Sequence, residues 1–407
     1  MIDFTATRSQ HHPPPTLRTA RNGGLLDAET LIGKALLRAG RKSFSDPSFI
    51  EPLKRLLHAY ATEAELSYFG RYAAHFDMMR CLNNLLRLDV AEEEMPGILS
   101  RPIARPIFIT GLPRSATTFL HTLLSQDPAN AVPHCWQLIY PYPSRSRLWQ
   151  TDTRRARVAF QLQMFRWLSP GVEDLHSLTA ETPQECTDIT AQVFQSLRFD
   201  STHRIPSYQS WLDGNGHLNA FHFHRRFLQH LDAQSPGHRW VLKSPDHVFS
   251  LDAIRAVYPD AQIVFLHRDP LSVVASCCKL VELLRRPFTR HIDRAEIGRQ
   301  VSNRLIESTQ RMIAAAADPQ QILHLHYADV VSAPMKAAAS VYSHCGIELG
   351  GGAEERMQTW LSLPRERPSR SYDLAEFGLD TAHLRKRFAP YVETFGVTAE
   401  WARAKAA

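Results

Sequence analysis

The sequence predicts an α/β fold, a parallel sheet flanked by helices, with a helical extension at the N-terminus. Three observations carry this. Short apolar runs of strand type recur at 106–110, 240–243, 262–266 and 322–327. A helical pattern follows each run, and the first run ends in a glycine-led turn of the kind that opens a helix. Strands alternating with helices imply βαβ units, and hence a parallel sheet covered on both faces.

Composition sets the bounds. Of 407 residues, 44% are apolar and 22% charged, which excludes wholesale disorder and collagen-like structure. Lys and Arg number 47 against 41 Asp and Glu, a net +6. So thin an excess suits an anionic ligand and gives no basic-aromatic stripe, so no nucleic-acid partner is expected. No run reaches the ~18 consecutive apolar residues of a membrane span. The opening segment lacks the apolar stretch of a secretory signal, and a cytoplasmic protein is expected. The six cysteines, Cys81, Cys135, Cys186, Cys277, Cys278 and Cys345, form no CxxC pair and read as reduced thiols. Among 20 histidines no HExxH spacing occurs, so no metal is expected; His222 and His224 read as structural.

In chain order, residues 1–24 combine His11-His12-Pro13-Pro14-Pro15 with scattered Arg and read as a flexible lead-in. Residues 25–100 form a helical region packing on the main domain. Leu53, Leu56, Leu57 and Tyr60 recur at helical spacing, as do Phe76, Met79, Leu82, Leu85 and Leu86. Core packing or a homodimer surface accounts for them. Met95-Pro96-Gly97 ends the block, and 101–400 is the main domain. Its first strand, Pro106–Thr110, leads through Gly111-Leu112-Pro113 into a helix over 116–125. Residues 128–239, rich in Trp, Tyr, His and Arg, read as an insertion that carries acceptor specificity rather than sheet. The later strands are followed by helices over 251–258, 271–284 and 335–345.

The sharpest local signal is Gly111-Leu112-Pro113-Arg114-Ser115-Ala116-Thr117-Thr118-Phe119. A tight turn between strand and helix aims backbone N–H groups and the positive helix end at one point, an anion site. Thr117 and Thr118 add hydroxyls, and Arg114 adds a fixed charge. The loop approaches a Walker A motif, but Ala116 replaces its second Gly and Thr117 its Lys, so a triphosphate enzyme would lack its phosphate lysine.

Here the sequence resembles the sulfotransferases that use 3′-phosphoadenosine 5′-phosphosulfate (PAPS), in a bacterial branch. Their phosphosulfate loop, P-[KR]-S-G-T-T, is matched by Pro113–Thr118 except at Ala116. Their Arg with a Ser eight residues on, which binds the 3′-phosphate, is matched by Arg268 and Ser276. Tyr327-Ala328-Asp329 fits a third element, and Tyr372–Leu379 with Phe388–Tyr391 resembles the close of the branch. The resemblance covers about 100–397. It implies a P-loop-like sulfotransferase fold with PAPS as sulfuryl donor. Arg114, Ser115, Ala116, Thr117, Thr118, Arg268, Ser276 and Tyr327 would hold the donor, and Phe119 would stack on its adenine. The reaction it implies is transfer to a hydroxyl of a small or lipid-like acceptor.

The transfer needs a base and a cation. Lys243, at a strand end, matches the family's second active-site lysine. His247 lies in the turn where the family places its catalytic His, and histidine titrates near neutrality. Glu181 and Glu185, four apart and expected on one helix face, are rivals, as is His134. Gln137 stands where some relatives carry a Glu and cannot be a base. Two other readings stay open: a P-loop kinase-like enzyme and a non-catalytic nucleotide-binding relative.

Overall fold

The structure is a computed structural model and describes residues 24–143, 152–175, 178–316, 322–364 and 372–398. All of the expected lead-in except Gly24 lies outside the described residues. Five strands, β1 (Ile107–Gly111), β2 (Asn130–Ala131), β3 (Arg239–Lys243), β4 (Gln262–His267) and β5 (Ile322–His326), form one sheet in the order β2-β3-β1-β4-β5. Every pairing is parallel. The α/β class is as the sequence predicts.

Strand β1 is central and pairs with β3 on one side and β4 on the other, through Ile109↔Lys243 and Gly111↔Leu266. The chain visits β2 and β3 on one flank of β1, then β4 and β5 on the other. That reversal opens a crevice at the carboxyl ends of the central strands. β2 corrects the reading of 128–239 as free of sheet. Two residues are too short to register as an apolar run, and Asn130 is secured by side-chain bonds to the Leu124 carbonyl and the Tyr342 hydroxyl.

Alternation along the strands feeds both faces, as a sheet covered on both sides requires. Ile107, Ile109, Val264 and Leu266 pack with the helices Thr117–Leu124 and Pro334–His344. Phe108 and Leu242 point the other way. They join one apolar core with Leu53, Leu56 and Leu82 of the helices Ile50–Thr62 and Tyr68–Glu94, and with Phe194 and Phe227 of the insertion. The expected stripe on Tyr68–Glu94 differs at one end. Met79, Leu82, Leu85 and Leu86 are buried, whereas Phe76 is exposed. Burial near the start of that helix runs through Ala74 and Met78, and Phe76 lies roughly 200° around the axis from Met78.

Among the described residues no helix is long and apolar enough to cross a membrane. The six cysteines are buried and unbridged.

Candidate active site

The first turn is built by close approach and left-handed backbone. At Gly111, φ is +122° and a Cβ would fall 2.3 Å from the Leu266 carbonyl oxygen, so only glycine lets β1 end so near β4. Arg114 and Ala116 have φ of +62° and +69°. Left-handed residues in such a loop curl successive N–H groups toward one concavity, here just ahead of the helix Thr117–Leu124. Thr117, Thr118 and Phe119 line the cleft, and the Phe119 ring lies 5.5 Å from that of Trp360. Ser115 departs from expectation. Its hydroxyl is fully buried and donates to the Leu112 carbonyl, so the side chain closes the turn and does not face the cleft.

The second turn follows β4. Asp269 caps the helix Pro270–Arg285, its carboxylate accepting from the Leu271 N–H at 3.1 Å. The Arg268 guanidinium lies 3.9 Å over the ring of Tyr327, the residue that follows β5, and donates to the main-chain carbonyl of Arg114. Arg114 Nε donates to Ser276 Oγ at 3.2 Å, and its Nη1 donates to the Leu175 carbonyl. Arg114, Arg268, Ser276 and Tyr327 thus converge on one wall. Burial first, with the Arg268 charge among the smaller causes, holds the Arg114 guanidinium below its ordinary range. Two guanidiniums clustered at a buried wall favour an anion between them.

The third element is Lys243, only 1% exposed at the end of β3. Its Nζ donates to Glu185 Oε1 at 2.7 Å and to Thr118 Oγ1 at 3.1 Å. One ammonium therefore ties the anion turn to a carboxylate of the insertion. Glu185 lines the cleft, and the next residue is fixed to the same strand by Cys186 N–H donating to the Lys243 carbonyl at 3.0 Å.

The other candidate bases are placed elsewhere. The His247 ring is buried, 5.0 Å edge-on to Phe108 and 5.8 Å from Phe221, and does not reach the cleft. Its Nε2 has no hydrogen-bond partner among the described residues, and burial pushes its pKa well below the usual histidine value. The sequence offered His247 as the base; its ring lies in this apolar surround rather than among the cleft-lining residues. Glu181 and Glu185 do not share a helix face. The segment is turn and extended chain, with Pro183 in an antiparallel bridge to His134, and Glu181 points outward to Arg155 at 2.8 Å. His134 and Gln137 form a helix cap. The Gln137 amide oxygen accepts from the His134 N–H, and His134 Nδ1 meets the Glu181 carbonyl at 2.7 Å.

These walls enclose a cavity of about 1700 Å³. That exceeds the ~300–1,000 Å³ of a single small-ligand pocket and leaves room for two ligands. Part of the lining is apolar, with Val158, Leu162, Leu280, Val281 and Leu284 contributed by the helices Arg154–Leu168 and Pro270–Arg285. The floor carries acids that sequence reasoning missed. Burial, and then the Glu185 carboxylate, push Asp246 up to about 7. Burial pushes Asp200 up to about 6 although Gln300 donates to it. Asp246 lies three residues beyond Lys243, in the Ser244-Pro245 turn that directs it to the cleft; that adjacency was the available signal. Among the described residues no cluster of three or more His, Cys, Asp or Glu could hold a metal ion.

A parallel sheet whose adjacent strands β1 and β4 each run into a turn that opens a helix, with Arg114 and Arg268 at one cleft beside the buried Lys243, defines a P-loop-like α/β protein. Within that class the chain belongs to the sulfotransferase family, whose model matches residues 106–350. It is similar to the crystal structure of sulfotransferase STF1 from Mycobacterium tuberculosis, at 31% identity and a TM-score of 0.78, over 89% of this chain and 98% of that one. Sulfotransferase STF9 from Mycobacterium avium matches at 27% identity and a TM-score of 0.80, over 96% and 100% of the two chains. Among curated proteins, the omega-hydroxy-beta-dihydromenaquinone-9 sulfotransferase Stf3 of Mycobacterium bovis is 24% identical over 294 residues, 66% of this chain and 70% of that protein. The expected bacterial sulfotransferase, and with it a transferase enzyme, is shown by these matches.

Proposed function

We propose that the protein moves a sulfuryl group from PAPS to a hydroxyl of a lipid-like acceptor, with Glu185 accepting the hydroxyl proton. The observation that carries this is the Lys243 ammonium held between Glu185 Oε1 and Thr118 Oγ1, 2.7 and 3.1 Å away. It sets a cation and a carboxylate side by side where the first turn meets the cavity.

The two turns fit a donor with two separated anionic groups. The N–H groups of the Arg114–Thr118 loop would hold its phosphosulfate, and Arg268 with Ser276 its 3′-phosphate. Tyr327 stiffens Arg268 from below, and Phe119 is available to the adenine. When bound, the donor supplies an activated sulfuryl group; the acceptor oxygen gains the S–O bond and the departing phosphate keeps the electron pair of the bond that breaks. Lys243 and Arg114 balance the charge that grows on that phosphate. Glu185 takes the proton at the cleft wall, and Asp246, holding its own proton to about 7, limits the negative charge beside it. Support for a lipid-like acceptor comes from the apolar part of the lining and from the menaquinone derivative in the name of the mycobacterial relative.

The test has two stages. The spent nucleotide, 3′-phosphoadenosine 5′-phosphate, should raise the melting temperature more than ATP with magnesium, because the loop lacks a Walker lysine. Incubation with PAPS and a panel of long-chain alcohols should then yield sulfate esters detectable by mass spectrometry, undiminished by chelators. Equal stabilisation by ATP with magnesium would return the protein to the kinase-like reading.

A further inference from the structure

The helix Arg154–Leu168 has two faces with different surroundings. Val158, Gln161 and Leu162 form part of the cavity wall. On its outer side Phe160 is 67% exposed and Trp167 74%, with Met164 between them. That is an apolar stripe at i, i+4 and i+7 left in water, the unusual case for large side chains. A second stripe lies on the first turns of Tyr68–Glu94, where Tyr68 is 77% and Tyr72 67% exposed, with Phe69 and Phe76 beside them.

The two helices that carry these stripes, though not the stripes themselves, meet at Phe288. Its ring stacks on Phe69 at 6.0 Å and on Phe165 at 6.1 Å. The junction is fixed by main chain: the Ser67 N–H donates to the Phe288 carbonyl at 2.9 Å and the Arg290 N–H to the Glu65 carbonyl at 3.0 Å. Gly70 allows the contact, since a Cβ there would fall 2.0 Å from the Phe288 carbonyl oxygen.

Charge completes the pattern. Arg154–Leu168 contains four arginines and no acid, and the neighbouring segment 286–291 holds Arg286, Arg290 and His291 with no acid. Arg154, which is buried, Arg155, Arg166 and Arg286 bridge to Asp152, Glu181, Glu173 and Glu282, which leaves Arg157 and Arg290 as the main sources of the field. Arg290 lies 5.8 Å over the Tyr68 ring. A basic helix with Trp and Phe on its apolar side has the makeup of an interfacial membrane helix, and Tyr and Trp suit the headgroup level.

We propose that this face docks on an anionic membrane surface, so that a lipid acceptor reaches the cavity past the helix Arg154–Leu168. Its purpose rests on the lipid-acceptor reading above; its test does not. The full chain is sedimented with phosphatidylcholine vesicles, with and without phosphatidylglycerol, in the absence of donor and acceptor. Binding should favour the anionic vesicles and weaken with salt. The double variant Phe160→Ser, Trp167→Ser should lose about tenfold or more of that partition, while its melting temperature stays unchanged because both side chains are exposed. A wild-type chain that stays in the supernatant with both vesicles overturns the proposal, as does a double variant that binds equally well. Light scattering that shows a dimer broken by the two substitutions also overturns it and assigns the face to a second copy of the chain. With no acceptor in the vesicles, an error about the acceptor leaves this result untouched.

Discussion

Lys243 and Glu185 form an ion pair in which the cation is buried and the carboxylate reaches the cleft, 2.7 Å apart. The ammonium is thus neutralised within the protein yet placed to meet an incoming anion. Lys243→Met should lower both turnover and stability, because it breaks an ion pair whose cation is buried. Adding Glu185→Leu should recover part of the stability and none of the activity. A denaturant series on the two variants checks this, and a double variant no more stable than Lys243→Met would mean the pair is not the source of the loss.

The choice of base can be decided between two residues. Glu185→Gln should lower turnover by about 10²–10⁴ while changing affinity for the spent nucleotide little. His247→Leu should keep turnover within a few-fold, since its ring is buried against Phe108 and Phe221. The reverse pattern in steady-state kinetics would restore His247 as the base.

Arg268 has a separable role. Arg268→Ala should weaken binding of the spent nucleotide by about ten- to a hundredfold, the loss of a charge-assisted fork. It should also reduce the preference for the 3′-phosphorylated nucleotide over its dephosphorylated form. Arg268→Lys should recover only part, because a lysine neither forks nor stacks flat on Tyr327. Calorimetric titration of both nucleotides reads the difference.

Ala116 holds a left-handed backbone at φ +69°, where the family pattern has glycine. Ala116→Gly should therefore stabilise the chain by roughly 0.5–1 kcal/mol, the left-handed penalty less the entropy glycine adds to the unfolded chain. The check is a higher urea midpoint at unchanged slope. A lower midpoint would show that the alanine methyl makes contacts worth more than the strain.

Asp246 makes a prediction about pH. Its carboxyl keeps its proton to about 7 in the folded chain but releases it near 4 when unfolded. Between those values the folded state binds more protons, so this group's contribution to stability falls as pH rises from about 4 to about 7. Asp246→Asn should be more stable than the parent at pH 8, by on the order of 2 kcal/mol once solvent at the half-buried carboxyl is allowed for. The difference should vanish toward pH 4. Urea unfolding at several pH values would expose a constant difference, which would contradict the assignment.

The two turns were legible from spacing because their parts are local. Gly111 through Phe119 form one strand-turn-helix, and Arg268 and Ser276 lie on another. The placement of the candidate bases was less so. Glu181 and Glu185 look alike in sequence at four residues apart, a rule that holds only within a helix. Pro183, bridged to His134, breaks the helical reading and sends one carboxylate outward and the other to Lys243. His247 is hard to place for a similar reason: its offset from Lys243 says which turn it occupies and not which side of that turn its ring takes. The ring packs on Phe108, more than 100 residues earlier in the chain, and on Phe221 of the helix Leu218–Gln234. Strand β2 was illegible because an edge pairing of two residues has no pattern of its own.

The adjacency of β1 and β4 has a metrical consequence. Gly111 presses β1 against Leu266, and the Arg268 guanidinium donates to the carbonyl of Arg114, so the two turns share one rigid rim. The gap between the anion sites is then set by the ~4.8 Å spacing of neighbouring strands plus the reach of one arginine. On the proposed donor reading the sheet would work as a gauge for a nucleotide whose charged groups stand at the matching interval, and length, as much as charge, would decide which donor is admitted.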